Sequence, residues 1–371
     1  MKDLVGQPQM LKVVNSSTIE QLVYELGPIT KPELARLSGL SLPTTGSIVV
    51  DLIKKGYIIQ SGLISKGQGR RAAVYTINVD FGCLLVLYYK WGAFIGRVTD
   101  ISGKTLYENT YALKNASLSA ALNRVCAAID DLTANAPNAV KAIGIGVPGA
   151  VLPDGRLMGI PKIAEWEGFN LREALESRYS ADIVVENDVR LSAVGYYRKH
   201  LIDRFDNIIY IYAGNGMGAG IIINKLLYHG STNFSGELGY MAPLTGSPPE
   251  RDYTKTGGYL ETRLSKFVNI ERGEFWAKDD PEHRKVLANM LGAAAANQVV
   301  LLNPDVVVFG GEAFDAELTH EIRDQMTFYI PPETMPEIIH DGSSDTGLDG
   351  LIMVCRGSIK TRMSVVRAAG V

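Results

Sequence analysis

A chain of 371 residues, 46% hydrophobic and 21% charged, is long enough for two or three domains with a sizeable core. Its formal charge is −3, no apolar run reads as long enough to span a bilayer, and the N-terminus lacks the apolar stretch of a secretory signal. Membrane and exported classes are set aside, and a cytoplasmic protein is expected. Three scattered cysteines and five histidines without ligand spacing argue against a disulfide scaffold or a metal centre.

Charge is unevenly spread. Residues 1–71 hold nine Lys/Arg against five Asp/Glu, a net +4, which leaves −7 for the remainder. A basic head on an acidic body points to an anionic partner for the head, although a basic surface is often only solvated.

In chain order, Ile19, Leu22, Val23 and Leu26 recur at helical spacing until Gly27-Pro28. Thr30-Lys31-Pro32-Glu33 is a capping box that opens a short helix. Ser41 caps a third helix whose buried stripe is read as Ile48, Val49, Leu52 and Ile53. Two short helices around a Gly-containing turn make a helix-turn-helix. The face of the third helix left for contact carries Thr44, Thr45, Ser47 and Asp51, with Lys54 at its end; the Thr and Ser are small enough to reach base edges or phosphates in a major groove. Tyr57–Gln60 and Ala73–Ile77 read as strands flanking Ser65-Lys66-Gly67-Gln68-Gly69-Arg70-Arg71. That loop is a basic wing, whose Arg70 and Arg71 suit phosphates or a narrow minor groove. The alternative for this segment is a helical dimerisation or protein-binding domain.

The body is expected to run strand pair, helix over 117–132, and buried strand Ala142–Val147 with the turn Pro148-Gly149. A helix over 170–179 and strand 183–187 follow. The order then begins again with strand 208–212, a glycine loop over 214–220, helices over 258–270 and 284–302, and strand 306–309. Two such halves imply two lobes around a cleft. Gly214-Asn215-Gly216-Met217-Gly218-Ala219 matches a dinucleotide fingerprint on paper, but a β-rich run follows it where a helix is required. A glycine hairpin fits better, either a phosphate cup or a plain tight turn. At the end of strand 183–187 stand Glu186-Asn187-Asp188. An Asn and an Asp at a strand end of an α/β sheet can grip hydroxyls, and Asp188 can equally be the cap of the next helix.

Taken together, Ile143-Gly144-Ile145-Gly146-Val147-Pro148-Gly149, Glu186-Asn187-Asp188, Ser235-Gly236-Glu237-Leu238-Gly239 and Asn303-Pro304-Asp305 with Gly310-Gly311 resemble the ROK family of repressors, open reading frames and sugar kinases. The basic head resembles that of its repressor branch, the xylose and N-acetylglucosamine type. The resemblance implies an α/β protein: a winged helix-turn-helix (1–78) before a two-lobed, actin-like (ribonuclease-H-like) body (79–371). Lobe I would take about 79–186 plus the C-terminal helix, and lobe II about 187–350. It also implies a sugar site of Gly149, Asn187, Asp188, Glu237, Tyr240 and Glu261, with Asp188 in the place of the kinases' base. Carboxylates facing hydroxyls make charge-assisted hydrogen bonds, which suits a polyol.

Departures from the family matter as much. Where the kinases carry Asp-x-Gly-Gly-Thr for ATP, this chain has Tyr88-Tyr89-Lys90-Trp91-Gly92. Phosphoryl transfer depends on positioning and neutralising phosphates, so no kinase activity and no cofactor are expected. The family's zinc ligands are replaced by Tyr240 and by a cysteine-free run from Asp252 to Tyr259, so no metal is expected. Lys162 stands where the family often has Asn; it would favour an acidic sugar if it faced the cleft, and is otherwise a surface lysine. The expected protein is a sugar-responsive DNA-binding regulator, a repressor, whose expected partners are operator DNA, a sugar or sugar-phosphate effector and further copies in a homodimer or homotetramer. An active sugar kinase, or a regulator controlled by a transport protein, are the alternatives.

Overall fold

The computed structural model describes residues 7–64, 71–113, 117–160, 165–214, 216–242, 258–267, 280–343 and 345–366. The N-terminal segment builds α1 (Gln7–Leu26), α2 (Lys31–Ser38) and α3 (Leu42–Lys54). Thr30 and Glu33 form the reciprocal capping box, Gly39 ends α2 in the left-handed region, and Ser41 caps α3. Strands β1 (Ile29–Thr30), β2 (Ile58–Ile64) and β3 (Ala72–Ile77) form an antiparallel sheet in the order β1-β3-β2.

The stripe of α3 that faces this small core is Thr45, Ile48, Val49 and Leu52. Two sequence expectations are corrected here. Ile53 is exposed, and Thr45, expected on the contact face, is fully buried. Helical geometry gives the reason: Thr45 lies three and four residues before Ile48 and Val49, so it shares their face. Ile53 is one residue past the stripe and turns away.

The rest of the chain builds two sheets of one plan. The first joins β4 (Cys83–Lys90), β5 (Ala93–Asp100), β6 (Thr105–Ala112), β7 (Val140–Val147) and β10 (Asp182–Asn187) in the order β10-β7-β4-β5-β6. The second joins β11 (Ile208–Ala213), β12 (Met217–Ile223), β13 (Leu226–Leu227), β14 (Val306–Gly310) and β15 (Glu337–Asp341) in the order β13-β12-β11-β14-β15. Each is an antiparallel meander extended by two parallel strands. A short hairpin of β8 (Ala150–Val151) and β9 (Leu157–Met158) follows β7. Sequence periodicity did not mark β6 and β15. In β6 only Tyr107 and Tyr111 are even partly buried, so it lacks the alternation that announces a half-buried strand.

Helices α4 (Leu118–Ala134) and α5 (Leu171–Glu176) cover the first sheet. Helix α6 (Asp188–Tyr196) leaves β10 directly, and α7 (Tyr259–Leu264) lies beyond the second meander. Helices α8 (Pro281–Leu302) and α9 (Ala316–Met326) pack on the second sheet. By length and composition α8 is apolar enough to cross a bilayer, which amends the sequence reading. Leu287, Leu291, Ala295 and Val299 nonetheless sit in the core of the second sheet, which accounts for its apolar face.

The last helix, α10 (Thr346–Val366), packs along α6 at backbone distance. A β-carbon on Gly195 would lie 2.0 Å from the Thr346 carbonyl oxygen, and one on Gly350 only 1.9 Å from that of Leu191. The same helix reaches the N-terminal segment: the Arg356 guanidinium lies 3.1 Å from the centre of the Tyr24 ring on α1. Tyr24 also donates to the Ser102 carbonyl (3.1 Å), and Ile19, Val23 and Leu52 share one apolar cluster with Leu84, Leu351 and Cys355.

Candidate functional site

Strands β7 and β10 are parallel and in register, with Asn187 opposite Val147. The turn Pro148-Gly149 and the pair Asn187-Asp188 therefore emerge side by side. Asn187 is the cap of α6: its side-chain oxygen accepts from the Arg190 backbone N–H (2.9 Å), and its amide donates to the Gly149 carbonyl (2.9 Å). The alternative of Asp188 as cap is thereby overturned. Asp188 is the first helical residue, and one carboxylate oxygen accepts from the Val189 N–H (2.8 Å). Asn187 is 6% exposed, so it organises the turn, while Asp188 is the more accessible of the two.

Opposite stands the hairpin of β11 and β12, in register with Ala213 opposite Met217. The glycine run is thus a hairpin whose second half is strand from Met217 onward, and no helix follows it. The loop after β13 returns to this hairpin through Ala219 N–H to the Gly236 carbonyl (2.6 Å), which brings Glu237 and Tyr240 to the same place. Glu261 on α7 leans over Gly216 and Gly239. Gly149, Asn187, Asp188, Glu237, Tyr240 and Glu261 consequently line one crevice, with Tyr212 and Met217. Its open volume is about 60 Å³, far less than the roughly 300–1,000 Å³ of a usual ligand pocket. A sugar ring would have to part its walls.

Burial pushes the Glu237 carboxyl up to about 7; Asp188 and Glu261 reinforce that, and Arg190 opposes it. The Tyr240 hydroxyl rises to about 12, first through burial and then through Glu237 and Glu261. The crevice thus concentrates acceptors that hold hydroxyl groups well and repel anions.

A second cavity of about 350 Å³ lies on the other side of Asp188 and Tyr212, which border both. Its walls include Tyr88, Lys90, Tyr210, Glu312, Asp341 and Ser192. The β4–β5 turn has Trp91 and Gly92 both at positive φ (50° and 77°), the geometry of a two-residue hairpin. Tyr88 reaches back from β4 to donate to the Asp188 carbonyl (3.3 Å). Tyr212 donates to Glu312 (2.8 Å), which also pairs with Lys90 (3.2 Å), and Tyr210 donates to Asp341 (2.7 Å). Despite the burial that opposes it, Glu312 is held below the usual carboxylate range by its bond from Tyr212 and by Lys90.

In the N-terminal segment, Thr44, Ser47 and Lys54 are exposed along α3, with Val50, which the sequence reading missed, on the same face. The spacing 44, 47, 50, 54 is the signal that could have found it. Arg71 is exposed at the edge of β3; Arg70, Lys162 and the run 252–257 lie outside the described residues. Thr45 points into the core and reaches no groove.

Residues 93–253 match the model of the ROK family. Over that stretch the chain is similar to the ROK family. Similar curated proteins include the xylose repressor of Caldicellulosiruptor bescii, 22% identical over 87% of this chain and 90% of its own length. The DNA-binding transcriptional dual regulator NagC of Escherichia coli is 26% identical over 84% of each chain. Among solved structures, a ROK family transcriptional regulator, homologue of the E. coli MLC protein, superposes with a TM-score of 0.76 over 96% of this chain and 98% of its own, at 19% identity. A ROK glucokinase from Streptomyces griseus in complex with glucose and AMPPNP superposes with a TM-score of 0.56 over 74% of this chain and all of its own, at 22% identity. The chain therefore shares its α/β fold with both regulators and sugar kinases.

Proposed function

We propose that this protein is a sugar-responsive transcriptional repressor that binds operator DNA through residues 1–78 and a carbohydrate through residues 79–371. The observation that carries the reading is coverage. The sugar kinase likeness spans about three quarters of the chain, whereas the regulator likeness spans 96% and the repressor relatives 84–87%. What the kinase lacks is about the length of the N-terminal segment, and that segment is the basic part of the chain.

In this reading the head is a winged helix-turn-helix. Helix α3 enters a major groove with Thr44, Ser47, Val50 and Lys54, and Arg70 and Arg71 hold the adjoining backbone or minor groove. Readers of this kind bind paired half-sites, so a homodimer or homotetramer acting in the cytoplasm is part of the proposal.

The body takes the sugar between Asp188, Glu237, Tyr240 and Glu261, with Gly149 and Asn187 shaping the floor. It does not act as a kinase: the second cavity, where a nucleotide's phosphates would have to sit, presents Asp188, Glu312 and Asp341 against Lys90. Phosphoryl transfer needs the phosphates positioned and their charge neutralised, and Lys90 is already paired with Glu312. Lobe I with the C-terminal helix and lobe II close on the crevice, and α10 touches both α6 and α1. A sugar that parts the crevice thereby biases the head, by no more than its difference in affinity for the two states.

The test is a gel shift against the protein's own promoter region with a panel beginning with xylose and N-acetylglucosamine. Retardation that one sugar changes is the expected result; no retardation with or without sugar refutes the proposal.

A further inference from the structure

Arg190 is a buried cation that the sugar reading leaves without a task. It is 1% exposed, on the first turn of α6, yet its side chain leaves that helix entirely. The guanidinium donates to the backbone carbonyls of Asn233 and Ser235 (the latter at 3.1 Å) and faces Glu186 at 3.4 Å. Glu186 also accepts from the Asn187 N–H (2.8 Å) and bonds His229 Nε2 (3.1 Å). Burial alone would raise the Glu186 carboxyl; His229 and Arg190 outweigh it and hold it below its ordinary value. Asn233 adds a bond from its side-chain amide to the Val151 carbonyl (2.9 Å).

These contacts join two separate parts of the crevice. Glu186 and Val151 follow from β10 and β8, beside Asn187 and Gly149. Residues 229–235 lead directly into Glu237. A guanidinium presents five donors in a fixed plane, so it holds two carbonyls and a carboxylate in one set geometry, whereas an ammonium's three donors rotate freely about a single nitrogen.

We propose that Arg190 is a positioning residue for the sugar site: by holding the carbonyls of Asn233 and Ser235 against Glu186, it fixes the 229–237 segment so that Glu237 faces Asp188. It touches no sugar itself. The inference rests on the sugar reading for its consequence, but the positioning is testable without any sugar. The charge has a second effect, because Glu237 faces Asp188, Glu261, Tyr240 and Arg190, and Arg190 is the cation among them.

The test compares full-length Arg190→Gln and Arg190→Lys with the parent chain. Hydrogen exchange without ligand reads the positioning. Arg190→Gln is expected to speed exchange across 229–237 at least tenfold, and Arg190→Lys, which keeps the charge and protects the fold, to speed it less. Calorimetry with xylose and N-acetylglucosamine from pH 5.5 to 8.5 reads the consequence. Affinity should fall at least tenfold in Arg190→Gln, with the midpoint of its pH profile moved upward, while Arg190→Lys keeps the parent midpoint. Parent-like exchange in both variants overturns the proposal, as does a midpoint that moves equally in both. If the parent binds neither sugar, that counts against the sugar reading, and the exchange result alone decides the role of Arg190.

Discussion

Replacing Glu237 by Gln removes a crevice carboxylate whose titration is displaced to neutral pH. Burial, assisted by Asp188 and Glu261, carries it from 4.5 to about 7. At about 1.4 kcal/mol per pH unit, that displacement corresponds to about 3 kcal/mol. The folded value lies above the unfolded one, so the folded chain holds the proton more tightly. The stability this contributes is complete below about pH 4.5 and is lost as the pH rises through about 7. Glutamine cannot ionise and loses nothing. The stability of Glu237→Gln relative to the parent should therefore rise by roughly 2–3 kcal/mol between pH 5 and pH 8. Urea unfolding at the two pH values measures it. An equal difference at both would refute the reasoning and mean that Glu237 is not held in a desolvated, acid-rich crevice. The same variant should bind sugar more weakly at pH 8, where the parent offers a carboxylate acceptor. Parent affinity should correspondingly drop below pH 7 as that acceptor is protonated.

Asp188→Ala should abolish the sugar response while operator affinity stays within about twofold, because Asn187 and not Asp188 caps α6; reporter assays and gel shifts separate the two. Arg71→Ala should weaken operator binding at every sequence and reduce the slope of log affinity against log salt by about one, measured by salt titration. Thr45→Val should leave operator affinity unchanged and stabilise the fold by about 1 kcal/mol in thermal or urea unfolding, since the buried Thr45 hydroxyl has no hydrogen-bond partner among the described residues. Thr44→Val and Ser47→Ala, on the exposed face, should instead weaken binding in the gel shift.

Much of this protein is legible in local sequence signals. Thr30-x-x-Glu33 and Ser41 opened the helices they announced, because a cap acts within one turn and needs no distant partner. The β-rich run after Gly214–Gly220 correctly denied a dinucleotide fold, since strand and helix follow different periods. The ordered motifs around Gly149, Asn187, Glu237 and Glu261 named the lining of one crevice, although those residues are up to 112 positions apart. Three things needed the folded chain. Thr45 was buried by the neighbours its helix met. The crevice proved nearly shut, a matter of how two sheets and their loops approach each other. Arg190 found its partners 43 and 45 residues away, on a loop whose path no local pattern describes. Capping, periodicity and charge act through adjacent residues and are written into the order of the chain. Burial and convergence depend on which surfaces meet, and only the tertiary structure decides that.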